Sequence, residues 1–101
     1  MATTAKVLFR GAATTTTSTT LYTVPSLTTA IVTNIVVTNT DSSERNFTIS
    51  LDDVKLHEQT AIPANSSAYI DLKQVLATGD TIKGGASSTA ITFHISGVEI
   101  A

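Results

Sequence analysis

The sequence contains no cysteine and no tryptophan, and charged residues make up only 14% of its 101 positions. A chain without cysteine has no disulfide framework and no thiolate ligands for zinc. Its net charge is −2 at pH 7, and the six basic residues are scattered rather than clustered. Because phosphate recognition requires a concentrated basic patch, we expect no nucleic acid as a partner.

Long hydrophobic runs are also missing. The densest apolar stretch, residues 30–37, is interrupted by Thr33 and Asn34 and is far shorter than a membrane-spanning helix requires. The first four residues lack the charged and then apolar pattern of a signal peptide. We therefore expect a protein with no membrane partner, made and assembled in a cytoplasm.

Hydroxyl side chains take the place of charges. Hydrophobic residues make up 42% of the chain, which argues against global disorder. Thr and Ser together supply about thirty residues, far more than average usage, and Thr favours strands. A surface of this kind fits a protein that packs against copies of itself or a large assembly. The alternative is an ordinary β-protein with a Thr-rich solvent face, and composition does not separate the two.

Alternating apolar residues predict the strands. Phe47, Ile49 and Leu51 alternate with polar residues and are expected to point inward, as are Phe93 and Ile95. Residues 27–39 form the strongest strand signal, with aliphatic residues on both faces, which predicts a central strand.

Pairing and irregularities are predicted from the same alternation. On the central strand, four residues are expected to share a face: Ile31, Thr33, Ile35 and Val37. The segment Ile31–Thr38 is expected to form a hairpin with Asn46–Leu51. In the last strand the apolar residues change from odd to even positions, which predicts a β-bulge at residues 96–97.

Two further local features are predicted between these strands. Leu72, Val75 and Leu76 have helical spacing, so a single helical turn is expected before Gly79. A short strand over residues 81–83 is expected to be broken by the two glycines that follow it.

The number of strands and the spacing of the turns indicate the fold class. Seven or eight short strands with turns every 8–12 residues predict an all-β protein with a single β-sandwich of antiparallel strands over residues 1–101. The pattern does not distinguish a jelly-roll from an immunoglobulin-like strand order.

Residues for catalysis are sparse. The two histidines, His57 and His94, have no nucleophile at a recognisable spacing, and no Gly-rich phosphate loop is present. Asp52 and Asp53 precede His57 and Glu58, but this spacing matches neither a zinc site nor an EF-hand. We expect no enzymatic activity, no cofactor and no metal. The absence of tryptophan and the small number of aromatic residues also weaken a carbohydrate-binding role.

Several strand and turn segments carry a resemblance to a known family. They are the stretches 20–25 (TLYTVP), 29–39 (TAIVTNIVVTN), 62–65 (IPAN), 75–82 (VLATGDTI) and 95–100 (ISGVEI). Together they resemble a family of small virion proteins of tailed bacteriophages, whose members are described as head-decoration, tail or fibre proteins. The resemblance spans most of the chain from Thr20 onward.

The resemblance implies a structural component of a bacteriophage virion, made in the cytoplasm of the bacterial host. We expect a capsid decoration (cement) protein that binds and stabilises the assembled head shell through the major capsid protein or other virion proteins. A homotrimer would match the local symmetry of a capsid. A tail, baseplate or fibre accessory protein, which could contact the host surface or its glycans, is the alternative, and a carbohydrate-binding module is a third.

The N-terminal segment, residues 1–19, is the part that these motifs do not cover. It is rich in β-branched residues and nearly uncharged, so one interpretation is an extended arm that joins a neighbouring sheet edge. The expected assembly contacts are Lys6, Leu8, Arg10, Thr15 and Thr17. The other interpretation makes residues 6–10 the first strand of the sandwich and residues 14–20 a surface loop.

Overall fold

The computed structural model describes residues 2–101, which form eight strands and no helix. The strands are β1 (Thr3–Ala12), β2 (Thr20–Thr23), β3 (Thr29–Asn39), β4 (Arg45–Leu51), β5 (Val54–Ile62), β6 (Ser67–Leu76), β7 (Thr81–Ala86) and β8 (Ile91–Ile100). Sheet A has the order β1-β8-β3-β6 and sheet B the order β2-β7-β4-β5. All pairings are antiparallel, so the all-β, sandwich-like prediction is confirmed.

The pairings follow those of one long hairpin wound around itself. Strand β4 pairs with β5, β3 with β6, β2 with β7 and β1 with β8. The β4–β5 connection is a two-residue turn of Asp52 and Asp53, both with positive φ, as a type I′ turn requires. Winding of this hairpin places its successive strand pairs alternately in the two sheets.

The core lies between the sheets, where the alternation predicted it. Phe47, Ile49, Ile35, Phe93 and Ile95 are all buried. Phe47 of sheet B meets Phe93 of sheet A edge to face, with ring centroids 6.3 Å apart. These two rings link the sheets at the centre of the sandwich.

The predicted hairpin between Ile31–Thr38 and Asn46–Leu51 is wrong. Strand β3 lies in sheet A between β8 and β6, as expected of a central strand, whereas β4 lies in sheet B. Residues 40–44 therefore cross from one sheet to the other instead of forming a hairpin turn. Alternation identifies the buried face of a strand but carries no information about its partner.

The predicted helical turn before Gly79 is also wrong, because Leu72, Val75 and Leu76 all lie in strand β6. The register between β3 and β6 shifts between Val32 and Asn34, and this irregularity produces a spacing that resembles a helical one. The predicted break at residues 84–85 is absent, since β7 continues through both glycines.

Two β-bulges lie opposite the position where one was predicted in β8. Strand β8 keeps its alternation through residues 96–97, and the register shifts fall at Leu8 in β1 and at Thr33 in β3. Because of the second bulge, Ile31 lies on the opposite face from Ile35, so their predicted common face is wrong. Val98 likewise lies on the outer side of sheet A.

Candidate assembly surface

The outer face of sheet A carries a row of apolar side chains across all four strands. The strand registers place Ala5, Val98, Ile31 and Val75 side by side. Val75 is 68% exposed, Ala5 is exposed, and the two central residues are half-buried. Outer faces of antiparallel sheets normally carry polar side chains, so this row is unusual for a surface in water.

A second row lies further along the strands. Arg10, His94, Val36 and Tyr69 face outward next to one another, and the Tyr69 side chain is 77% exposed. An aromatic side chain this exposed on a flat sheet face is available for contact with a neighbouring molecule.

Between these rows, the register aligns Val7, Ser96, Asn34 and Asp71. A shallow depression of about 460 Å³ lies here between β1, β8 and β3, lined in part by Val7 and Thr33. We refer to the twelve residues of these three rows as the A face.

The outer face of sheet B differs in charge and coverage. Its two lysines are paired, Lys83 with Asp53 at 2.7 Å and Lys55 with Glu58 at 3.9 Å. Loop residues 14–19 add backbone hydrogen bonds to β7, and the carbonyl of Thr16 lies so close that a side chain at residue 85 would overlap it. Sheet B is thus partly covered from within the chain, whereas the A face is open.

The two charges on the A face stand on opposite edges of the sheet. Arg10 lies on edge strand β1 and Asp71 on edge strand β6, and both are exposed. Within residues 2–101, neither forms an ion pair. An arginine and an aspartate on opposite edges of one apolar face are features that a protein partner can recognise.

The five assembly contacts predicted from the sequence do not lie on one surface. Leu8 is only 7% exposed and belongs to the core, and the ammonium of Lys6 is paired with Glu99 at 3.1 Å. Thr15 and Thr17 are exposed on the loop beside sheet B, so only Arg10 of the five lies on the A face.

The proposed N-terminal arm is corrected by the position of β1. Residues 3–12 pair with β8 along their whole length, so this segment is the first strand of the sandwich. Residues 13–19 form a loop packed beside β7. Met1 lies outside the described residues.

One end of the sandwich is joined by a polar contact between sheets. Tyr22 of β2 donates a hydrogen bond from its phenol to the carboxylate of Glu99 on β8. Burial, and then this carboxylate, raises the pKa of Tyr22. Tyr22 therefore stays protonated and donates this hydrogen bond between the sheets.

Metal-ligating side chains are not clustered in residues 2–101. No group of three or more acidic or histidine side chains lies close enough to hold a metal ion. The ring of His57 lies tilted by 38° to that of Phe47 with ring centroids 5.4 Å apart, while His94 faces outward from sheet A. The same residues include no helix able to cross a membrane.

Comparison with known proteins gives no relatives: no family model matches, and no significant match was found among curated proteins or solved structures. The sequence pattern does not predict the A face, because it places Ile31 on the same face as Ile35 and a bulge in β8 instead of in β1 and β3. The shift of the apolar residues of β8 from odd to even positions near residue 96 is the one signal of the A face in the sequence. It fits a bulge, but it also fits an uninterrupted strand whose last apolar residues face outward.

Proposed function

We propose that this protein is a structural subunit of a bacteriophage virion, specifically a capsid decoration protein that binds the assembled head shell. The observation that carries the proposal is the A face, where apolar side chains cross four strands in contact with water. A face of this kind is suited to a protein neighbour in an assembled particle. Binding to the closed shell, and not to its free subunits, stabilises the shell by mass action.

The strand order supports the same proposal. Pairing of β1 with β8, β2 with β7, β3 with β6 and β4 with β5 agrees with a jelly-roll and not with an immunoglobulin-like order. Jelly-roll domains recur in viral capsids and in lectins. Because a fold by itself does not define a function, this agreement adds support without carrying the proposal.

Reconstitution on purified particles tests the proposed role. Heads lacking the protein are mixed with it, the bound copies are counted against the major capsid protein by gel densitometry, and the temperature of shell opening is measured. The expected result is a copy number comparable with that of the capsid protein and a higher opening temperature. Saturation at only a few copies would favour the tail or fibre alternative, and loading without stabilisation would contradict a cement function.

A pair of charge variants tests the surface involved. Val75→Glu places a charge in the apolar row of the A face and is expected to reduce loading strongly. Lys55→Glu is the control, because it places the same glutamate at an exposed strand position of the other sheet. Equal loading of the two variants would show that the A face does not take part. Glycan-array binding that depends on Tyr69, with no binding to heads, would instead favour a carbohydrate-binding module.

A further inference from the structure

Resting on the proposed function, we infer that, before the protein binds the shell, the A face is covered by a second copy of this chain in a dimer, in place of the homotrimer expected from capsid symmetry. The two copies pack sheet A against sheet A about a two-fold axis that runs parallel to the strands, between β8 and β3. Such packing forms a second sandwich layer, in which sheets with nearly aligned strands bury their facing side chains.

This axis pairs the apolar row with itself. It places β1 of one copy opposite β6 of the other, and β8 opposite β3. Positions along the strands are unchanged, so each row faces the same row of the second copy. Ala5 then faces Val75 of the second copy, and Val98 faces Ile31. All four residues of the row are removed from water in both copies.

The same axis brings the opposite charges together. Arg10 faces Tyr69 of the second copy, and Asp71 lies two residues along the same strand. A guanidinium over an aromatic ring with a carboxylate beside it combines a cation–π contact with an ion pair. Because the interface is isologous, this contact occurs twice.

A two-fold axis perpendicular to the strands is disfavoured by the charges. It would exchange the two outer rows, so Arg10 would face Ala5 of the second copy. The middle row would face itself, and each Asp71 would stand opposite another Asp71. Like charges facing one another oppose association, whereas the parallel axis separates them.

The area of sheet A sets the expected stability of the dimer. Four strands spaced by roughly 4.8 Å and nine residues long at roughly 3.3 Å each cover about 570 Å² when flat. Stable specific interfaces bury about 800 Å² per partner, so a weak, reversible dimer is expected. Lys73, exposed where the register of β6 shifts, lies outside the three rows.

Charge exchange across the interface tests this arrangement. Arg10→Glu and Asp71→Arg each place like charges together, and each is expected to weaken dimerisation by about tenfold. The double variant Arg10→Glu with Asp71→Arg restores opposite charges and is expected to recover most of the loss. Lys55→Glu on sheet B is the control and should leave the dimer unchanged. Sedimentation equilibrium gives the dissociation constants, and circular dichroism melts show whether each variant is folded.

Four outcomes would overturn the inference. The first three are a monomer at all protein concentrations up to about 1 mM, a trimer of the wild-type chain, and a dimer that both single variants leave intact. A double variant that is additive and shows no recovery would also overturn it. None of these bears on particle binding, which is measured with heads: a monomer that still loads onto heads refutes the dimer and leaves the proposed function standing.

Discussion

Tyr22 and Glu99 join the two sheets through a hydrogen bond from the phenol to the carboxylate. Lys6 approaches the same carboxylate from the neighbouring strand β1, with 3.1 Å between Nζ and Oε1. The hydrogen bond from Tyr22, and then that from Lys6, lower the pKa of Glu99 against an opposing effect of burial. The charged form is therefore bound more favourably in the folded protein than in the unfolded chain.

The Tyr22–Glu99 contact predicts a loss of stability in acid. Because the folded-state pKa of Glu99 is lowered, its contribution is complete above the unfolded pKa of about 4.3 and is lost as the pH falls through the folded value. Glu99→Gln should reduce the free energy of unfolding by about 1–2 kcal/mol at pH 7, and the difference should shrink in acid. Urea titrations at pH 7 and pH 3 measure this. Glu58→Gln, exposed on β5, is the control, and a deficit independent of pH would contradict the prediction.

Replacement of Asp52 should stabilise the protein at neutral pH. The nearby Asp80 charge, followed by partial burial, raises the pKa of Asp52. An acid whose pKa is raised by folding destabilises the folded protein once it is ionised. Its effect on the free energy of unfolding is therefore most favourable below about pH 4 and is lost as the pH rises through the folded-state pKa. Asp52→Asn should therefore raise the melting temperature at pH 7 and have less effect at pH 3. An equal gain at both pH values would instead indicate relief at the positive φ of residue 52.

Replacement of the Asn39 amide is expected to reduce the stability of the protein. It is fully buried, its Nδ2 lies 2.9 Å from the carbonyl oxygen of Ser43 and 3.2 Å from those of Ile62 and Pro63, and its Oδ1 accepts from Asp41 N. Asn39→Asp keeps the shape but turns a carboxylate toward carbonyl oxygens. We expect a loss of about 3 kcal/mol at pH 7, partly recovered in acid. Asn65→Asp in an exposed turn is the control for thermal melts.

Phe47 and Phe93 should be the most costly side chains to truncate. Each is nearly or fully buried, and together they join the two sheets. Phe47→Ala or Phe93→Ala should cost about 3–5 kcal/mol, because each leaves a cavity that the facing sheet cannot fill. Chemical denaturation measures the loss. A cost below about 1 kcal/mol for both variants would mean that the sheets repack freely.

Deletion of residues 2–19 should abolish cooperative folding. It removes β1, exposes the edge of β8, and takes the buried side chains of Leu8 and Ala13 out of the core. Near-ultraviolet circular dichroism and thermal melting should show no folded transition. A folded truncation would mean that β1 is a dispensable layer, as an N-terminal arm would be.

The buried centre of the protein could be predicted from local pattern because burial alternates along a strand. Phe47 and Ile49 on β4, and Phe93 and Ile95 on β8, were placed correctly from spacing alone. The prediction of the buried face fails where a bulge within the strand itself changes the period. The bulge at Thr33 turns Ile31 outward, and nothing in residues 31–35 distinguishes a bulged strand from a regular one.

The sequence by itself determined the all-β class, the approximate positions of the strands and most of the core, because these depend on short-range periodicity and on β-branched residues. Only the tertiary structure decided which strands pair, since pairing joins residues far apart in the chain, such as Thr3 with Ile100. It alone also aligned Arg10 and Asp71 on opposite edges of one apolar face. That alignment depends on the registers of four strands and two bulges, which side-chain alternation does not encode.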